Sequence, residues 1–221
     1  MQRRWLMARA APGPLLDFLE TPFPSLRGDY NTTQMVALDL ETSGLNPRSD
    51  AIVSIGWVEF DVRGIDLASS RHLLVHSAAS LTEESVVIHG ITDDVTAGGL
   101  PLARALPPLL HAVAGKVLVA HHAELDVGFI AEACRRLWGM PWVVPVIDTQ
   151  RLAKKRLDRR GAIYSARDLR LNALRRRYNL PRYKGHNALS DAVSAAELFL
   201  AHMAHVNPRQ KKIPLRNLLM G

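Results

Sequence analysis

Two carboxylate side chains, Asp39 and Glu41, stand two residues apart in the segment DLETSG, directly after a short apolar run. Alternate residues of a β-strand project from the same face of a sheet, so both carboxylates are expected on one face. Two adjacent negative charges repel each other unless a cation lies between them. Alone, the pair is more typical of an ordinary acidic strand end, although ligand sites do collect beyond the carboxyl ends of strands in α/β sheets.

Two further aspartates lie near the starts of predicted helices. Asp126 belongs to HHAELDVGF, just after the apolar run KVLVAH, and Asp191 belongs to HNALSDA. An acidic residue in the first turn of a helix is common because the helix dipole favours it, so neither segment is specific alone. Four carboxylates without a thiolate favour Mg²⁺ or Mn²⁺ over zinc. Such oxygen-rich sites hold two ions ~3.5–4 Å apart and act on phosphoryl groups.

His186 stands five residues before Asp191. An imidazole, with an unperturbed pKa of ~6.5, can accept a proton from a water molecule near neutral pH. A loop position just before the helix that carries Asp191 would hold the imidazole beside the ions without making it a ligand. The alternative is a surface helix whose first turn happens to contain a histidine and an aspartate.

The apolar runs around these residues predict a mixed sheet. Successive early strands, followed by strands that alternate with helices, predict an α/β fold with helices on both faces of the sheet. One amphipathic helix follows the fourth strand and ends at Gly139, and another spans about Asn187 to Met203. The predicted strands are residues 35–40, 51–60, 71–76, 116–121 and 144–149.

Length and composition are those of a protein that buries a core. The chain has 221 residues, of which 48% are hydrophobic and 22% charged. We predict an N-terminal extension over 1–34, partly helical near 14–20, a catalytic domain over 35–206 and a basic, loosely held tail over 207–221. The single cysteine excludes a disulfide framework and a CxxC zinc site. No apolar run approaches the ~20 residues of a membrane span, so we expect a cytoplasmic protein with no membrane partner.

The positive charge is concentrated in one segment. The formal net charge is +7, and residues 151–184 contain thirteen Lys or Arg against two Asp. Such a cluster favours a polyanion, because phosphate contacts are its usual purpose. A solvated helix face is the alternative, since Arg and Lys are also good helix formers. On the first interpretation, Tyr164, Tyr178 and Tyr183 are available to stack on bases.

Taken in order, DLETSGL, AHHAELDVGF and HNALSDA resemble the three motifs of the DEDDh 3′–5′ exonucleases, the DnaQ-like family that includes the proofreading epsilon subunit of bacterial DNA polymerase III. IHGIT and IDT are also similar to signatures of that family. The resemblance covers roughly residues 35–205. It implies an RNase H-like fold with a five-stranded mixed sheet, and hydrolysis of nucleotides from a 3′ end by a two-metal mechanism.

The resemblance also implies roles for individual residues. The metal ligands, for two Mg²⁺ or Mn²⁺ ions, would be Asp39, Glu41, Asp126 and Asp191, and His186 would be the general base. Asn187 occupies the position at which the related DEDDy branch has tyrosine, so the DEDDh branch fits. Three residues align with positions that contact the terminal nucleotide: Thr42, Leu45 and His89.

Two departures from the family pattern bear on substrate contacts: His122 stands where the family usually has Asn, and Leu125 where it usually has Phe. Neither removes a ligand. The expected substrate is a single-stranded or frayed 3′ end, DNA before RNA, with a DNA polymerase as a possible partner. The alternatives are an RNA-trimming exoribonuclease and a non-catalytic nucleic-acid-binding subunit with the same fold.

Overall fold

The computed structural model describes residues 2–77, 86–87, 90–183 and 185–220. Within this part of the chain, five strands form one sheet in the order β3-β2-β1-β4-β5. β1 pairs antiparallel with β2 and parallel with β4, so the sheet is mixed, as predicted. The strands are β1 (Met35–Thr42), β2 (Ile52–Asp61), β3 (Gly64–Leu74), β4 (Val117–Ala120) and β5 (Val146–Asp148).

Helices cover both faces of this sheet. The described helices are α1 (Gln2–Met7), α2 (Pro14–Glu20), α3 (Asp93–Ala97), α4 (Leu102–Val113), α5 (Ala123–Trp138), α6 (Thr149–Arg159), α7 (Leu171–Arg177) and α8 (Ala188–Val206). Val36 and Leu38 of β1 share a buried cluster with α1, α2, α4 and α5. Met35 and Ala37 point the other way and pack with Phe199 of α8. This strand alternation sends Asp39 and Glu41 to the face covered by α8.

Two predicted elements differ from the observed ones. β3 begins at Gly64, well before the predicted residue 71, because this edge strand is largely exposed and therefore lacks an apolar run. The Arg and Lys content of the basic segment 151–184 predicts helical structure, which the structure divides into α6 and α7. Gly161 adopts a φ of +61° just after α6, a conformation that glycine adopts easily and that stops the helix.

Both ends of the chain pack against the core. Leu15, Phe18 and Leu19 of α2 are buried, and α2 spans the predicted helical residues. Leu215 of the tail is also buried, and the Met220 backbone N–H donates to the Val146 carbonyl at 2.7 Å. The expectation of a loosely held tail is therefore wrong, because its apolar residues complete the core. The domain limits at residues 34 and 206 remain a prediction.

In the part of the chain that the structure describes, no helix combines the length and apolar character that crossing a membrane requires.

Candidate active site

Three carboxylates from two elements meet at the end of β1. Asp39 and Glu41 lie on β1 and Asp191 in the first turn of α8, and one oxygen from each lies within 4.8 Å of the others. Glu41 is buried, whereas Asp39 and Asp191 remain partly exposed. The cluster therefore has a closed floor and an opening to solvent, as a site for a metal ion and substrate requires.

Asp126 completes the acidic floor from α5. Its side chain is buried at 5% exposure, and its charge acts on the carboxyl of Asp39. It lies outside the tightest group of ligand oxygens, which contains only the other three acids among the described residues. The structure thus places all four predicted acids at one pocket, with Asp126 at its side.

The close approach of α8 to the sheet depends on Gly56. This residue of β2 lies directly opposite Asp39, and a Cβ atom there would lie 2.2 Å from the backbone of Ala188 and Leu189. Because glycine has no side chain, the first turn of α8 can rest directly on β2. This close contact brings Asp191, which lies in that turn, near the carboxylates of β1. Asn187 caps this turn by accepting a hydrogen bond from the Ser190 N–H at 3.1 Å.

We predict that Gly56→Ala separates Asp191 from Asp39. The added methyl would meet backbone atoms that cannot move aside without shifting α8, and a misplacement of ~1 Å at a catalytic site can cost ~10²-fold in rate. Turnover should fall by about that factor, with a loss of ~1–3 kcal/mol in stability from overpacking. Gly98→Ala is the matched control, since its Cβ would meet only Val95 O at 3.8 Å. Equal activity of the two variants would contradict this role.

His186 lies on the rim of the pocket. The side chain is exposed, and the backbone N–H donates to Asp191 Oδ2 at 2.7 Å. The backbone adopts a φ of +64°, which a non-glycine residue rarely adopts and which often occurs at functional sites. The backbone of His186 is thereby held beside Asp191, and His186 is not a member of the acidic cluster.

Burial raises the pKa of every acid in the cluster, and repulsion by neighbouring carboxylates adds to the shift at Asp39, Glu41 and Asp126. Burial is the largest cause for Asp39, followed by the charges of Asp126, Glu41 and Asp191. Burial and the charge of Asp191 raise the pKa of Glu41 to about 7. Burial also raises the pKa of Asp126 and Asp191, although backbone N–H groups oppose the shift at both. A cation in the pocket would relieve this repulsion.

The donor set fits a divalent cation. Glu41 Oε1 is buried and accepts no hydrogen bond from any described residue, although an ionised carboxylate normally has partners. The contributing atoms are all carboxylate oxygens, which are the ligands of hard ions such as Mg²⁺ and Mn²⁺. The residues present are therefore compatible with the predicted ions.

Comparison with known proteins identifies this arrangement. The exonuclease family model matches residues 36–199. DNA polymerase III subunit epsilon of Treponema pallidum is 31% identical over 169 residues, which cover 76% of each chain. The chain belongs to the DEDDh exonuclease family. The PolC-type DNA polymerase III of Thermotoga maritima is 31% identical over 77% of this chain, but the match spans only 12% of that polymerase.

Solved structures confirm the RNase H-like fold of this DEDDh exonuclease. The nuclease domain of 3′hExo, a DEDDh family member bound to rAMP, superposes with a TM-score of 0.67 at 14% identity, covering 84% of this chain and 98% of that one. Exonuclease X in complex with 5′ overhanging duplex DNA has a TM-score of 0.61 at 24% identity, covering 83% and 98%.

Two of the three predicted nucleotide contacts lie at the end of β1 and in the loop that follows it. Leu45 is 78% exposed in this loop. The Thr42 hydroxyl donates to the Gly44 carbonyl at 2.6 Å, which shapes the turn that presents Leu45. His89 lies outside the described residues. The contacts of Thr42 and Leu45 with a nucleotide remain a prediction.

Asp148 is a site residue that the motif analysis did not select. Its carboxylate accepts hydrogen bonds from the backbone N–H groups of His122 and Ala123 at 3.2 Å and of Gln150 at 2.8 Å. It therefore joins the first turn of α5, which carries Asp126, to the first turn of α6. The available signal was the segment IDT, an aspartate at a strand end directly before a helix.

The basic segment of the exonuclease is not uniformly available to a polyanion. Arg175 is buried at 2% exposure and donates to the Ser194 carbonyl at 2.9 Å and the Pro181 carbonyl at 2.8 Å. It also forms an ion pair with Glu197 at 2.7 Å. Arg175 lies on α7. Its contacts therefore link α7, and the segment that leads to His186, with the middle of α8.

The tyrosines predicted to stack on bases also have partners. The Arg175 guanidinium covers the ring of Tyr183, and the Tyr178 ring packs edge-on against two histidines of α8. Tyr164 hydrogen-bonds to Asp158. The expectation of a free stacking ring is wrong for Tyr178, because its ring packs against two histidines. For Tyr183, which is 40% exposed, it stays a prediction.

We predict that Arg175→Gln lowers the free energy of unfolding by about 3 kcal/mol, because it leaves the partly buried Glu197 without its ionic partner. Urea denaturation measures the effect. Arg176→Gln, at an exposed neighbouring position, should unfold close to the wild type. If the two variants unfold at the same urea concentration, the Arg175 contacts do not stabilise the fold.

Proposed function

We propose that this protein is a metal-dependent 3′–5′ exonuclease that hydrolyses the terminal phosphodiester bond of DNA. The convergence of Asp39, Glu41 and Asp191 within 4.8 Å carries this proposal, because it places ion-binding carboxylates at an open pocket in a chain of the exonuclease family. Asp126 and His186 support it from the side and the rim of the pocket.

Each residue has a separate task in this proposal. Asp39, Glu41, Asp126 and Asp191 would hold two divalent cations, which stabilise charge on the attacking and leaving oxygens of the phosphodiester. The His186 imidazole takes the proton from the attacking water. Its backbone N–H, which donates to Asp191, keeps the main chain of His186 beside that carboxylate. Leu45 packs against the terminal base and Thr42 shapes the turn that presents it.

The relatives suggest a partner. The curated relatives include the epsilon subunit of DNA polymerase III and PolC-type DNA polymerases. The chain spans only about 12% of the length of the Thermotoga maritima PolC-type polymerase. We propose that the chain acts with a DNA polymerase, since both of these relatives are named as DNA polymerase III proteins. A non-catalytic binding subunit is disfavoured because all four acids and the rim histidine are present.

The experiment is an assay of the purified protein on end-labelled oligonucleotides. Single-stranded DNA, duplex DNA and RNA are compared with Mg²⁺, with Mn²⁺ and with EDTA. We expect stepwise shortening of 5′-labelled DNA, none in EDTA, and slower cleavage of RNA. Release of the 5′ label as a mononucleotide would contradict the polarity, and equal rates on RNA would contradict the preference for DNA.

A further inference from the structure

A basic groove runs beside α6, towards the end of α8 that is remote from Asp191. It has a volume of about 850 Å³ and lies between α6, the C-terminal end of α8 and the tail segment 213–218. We call it the α6 groove. No carboxylate occurs among the described residues that line it. Its cationic lining residues are Lys155, Arg156, Arg159, Arg160 and Arg216.

These five cations have no anionic partner in the part of the chain that the structure describes. Nearby basic residues do have partners: Lys154 pairs with Asp158 at 3.0 Å and Arg177 with Asp168 at 3.6 Å. Uncompensated like charges in one groove repel each other, and they also attract a negatively charged ligand. The selective absence of acids therefore indicates an anion-binding surface.

A buried hydrogen-bonded group supports one wall of the groove. Arg156 Nη1 donates to the Tyr178 hydroxyl at 3.2 Å, and that hydroxyl lies 3.1 Å from His202 Nδ1. Burial lowers the pKa of His202 to about 4, so its neutral ring can accept the Tyr178 proton. The Arg156 guanidinium is thus held in place before any ligand binds.

The α6 groove continues towards the active site. A second cavity, of about 370 Å³, shares Lys155 and Arg159 with it and extends along α6 to Arg151. Its lining, unlike that of the α6 groove, includes two carboxylates, Asp148 and Asp158. Asp148 joins α6 to the helix that carries Asp126. The 11 residues of α6 span about 16 Å at ~1.5 Å each. That is about the length of five stacked nucleotides at ~3.4 Å each.

We propose that the α6 groove binds the phosphodiester backbone of the substrate strand upstream of its 3′ end. The cations recur along the helix at 155, 156, 159 and 160, so they form a row that suits successive phosphates rather than one point that suits a single phosphate. The proposal rests on the proposed exonuclease function and adds to it that affinity depends on strand length.

The test compares two triple variants that remove equal charge. Lys155, Arg159 and Arg216, all exposed, are replaced by Gln in the groove variant, and exposed Arg4, Arg71 and Arg104 by Gln in the control. Binding of 5′-fluorescent single-stranded DNA of 4, 8 and 16 nucleotides is measured by anisotropy in EDTA at several salt concentrations. Hydrolysis of a dinucleotide is measured in Mg²⁺.

For the groove variant we expect at least tenfold weaker binding of the 16-mer. The slope of log K against the logarithm of the salt concentration should become shallower by about 2, because the variant removes three charges and each single-stranded phosphate contact contributes ~0.7 to the slope. Binding of the 4-mer and dinucleotide hydrolysis should stay close to wild type. The control triple should retain the length dependence.

Several results would overturn the proposal. One is a groove variant that binds the 16-mer like the control, and another is an equal loss with every length and with the dinucleotide. A mononucleotide that displaces the 16-mer from the wild type but not from the groove variant would assign a small-ligand site instead. A further outcome separates the two proposals. If the groove variant loses length-dependent binding, but neither the wild type nor either variant cleaves DNA, the exonuclease proposal fails while the groove assignment stands.

Discussion

Glu41→Gln is expected to abolish metal-dependent hydrolysis and to stabilise the metal-free protein. Glu41 is buried, and one of its oxygens has no hydrogen-bond partner among the described residues. The amide keeps the shape but loses the charge that binds a cation. Since changes in the residues around metal ligands already cost ~10–100-fold, removal of a ligand should cost more than ~100-fold in turnover.

The stability effect follows from the raised pKa of Glu41, which is about 7 in the folded protein against an ordinary value of 4.5. Between these pH values the native state binds more protons than the unfolded state, so stability falls as pH rises through this window. Glutamine removes the contribution of Glu41 to this dependence, whereas the raised pKa of the other acids is kept. In EDTA at pH 8 the variant should be more stable than the wild type by up to ~3 kcal/mol, at ~1.4 kcal/mol per pKa unit.

Urea denaturation in EDTA from pH 4 to pH 8 measures this effect, with Mg²⁺-dependent hydrolysis measured in parallel. Glu20→Gln, at an exposed site on α2, is the matched control and should behave like the wild type in both measurements. A Glu41→Gln protein that keeps its activity, or that is less stable than the wild type at pH 8, would mean that the cluster is not a repulsive cation site.

His186→Ala is expected to reduce turnover by ~10²–10⁴-fold, the usual contribution of a general base. The contact with Asp191 uses the backbone N–H of His186, which alanine retains, so metal affinity should change little. Added imidazole should restore part of the activity, because a small base can occupy the space that the side chain leaves. Single-turnover rates and Mn²⁺ titrations separate the chemical step from metal binding.

His111→Ala provides the control, since His111 is an exposed histidine on α4. It should retain full activity and should not respond to imidazole. A His186→Ala enzyme with near-normal single-turnover rates would show that another group deprotonates the water. A variant that no longer binds Mn²⁺ would make His186 a residue that positions Asp191 rather than a base.

The four acids were predictable because local rules place them. Asp39 and Glu41 share a face through strand alternation, and Asp126 and Asp191 lie in first helical turns. The ends of these elements meet at one edge of the mixed sheet, so the motifs converge once the strand order is known. The same reasoning predicted the fold, including α2 and the end of α5 at Gly139.

Residues whose role depends on distant contacts were not predictable in this way. Gly56 matters because α8 crosses the sheet above it, 132 positions later in the chain at Ala188, and no local pattern marks that approach. Arg175 belongs to the basic segment that was predicted to favour a polyanion, and in the sequence nothing distinguishes it from its neighbours Arg176 and Arg177. Only the tertiary contacts with Ser194 and Glu197 distinguish it from them.

The most direct test of the account is an anomalous difference map from a crystal soaked in Mn²⁺. We predict two peaks ~3.5–4 Å apart among the carboxylates of Asp39, Glu41, Asp126 and Asp191, with the His186 ring beside them but not coordinating. Peaks elsewhere on the molecule, or a pocket without Mn²⁺ at a concentration that supports hydrolysis, would contradict it.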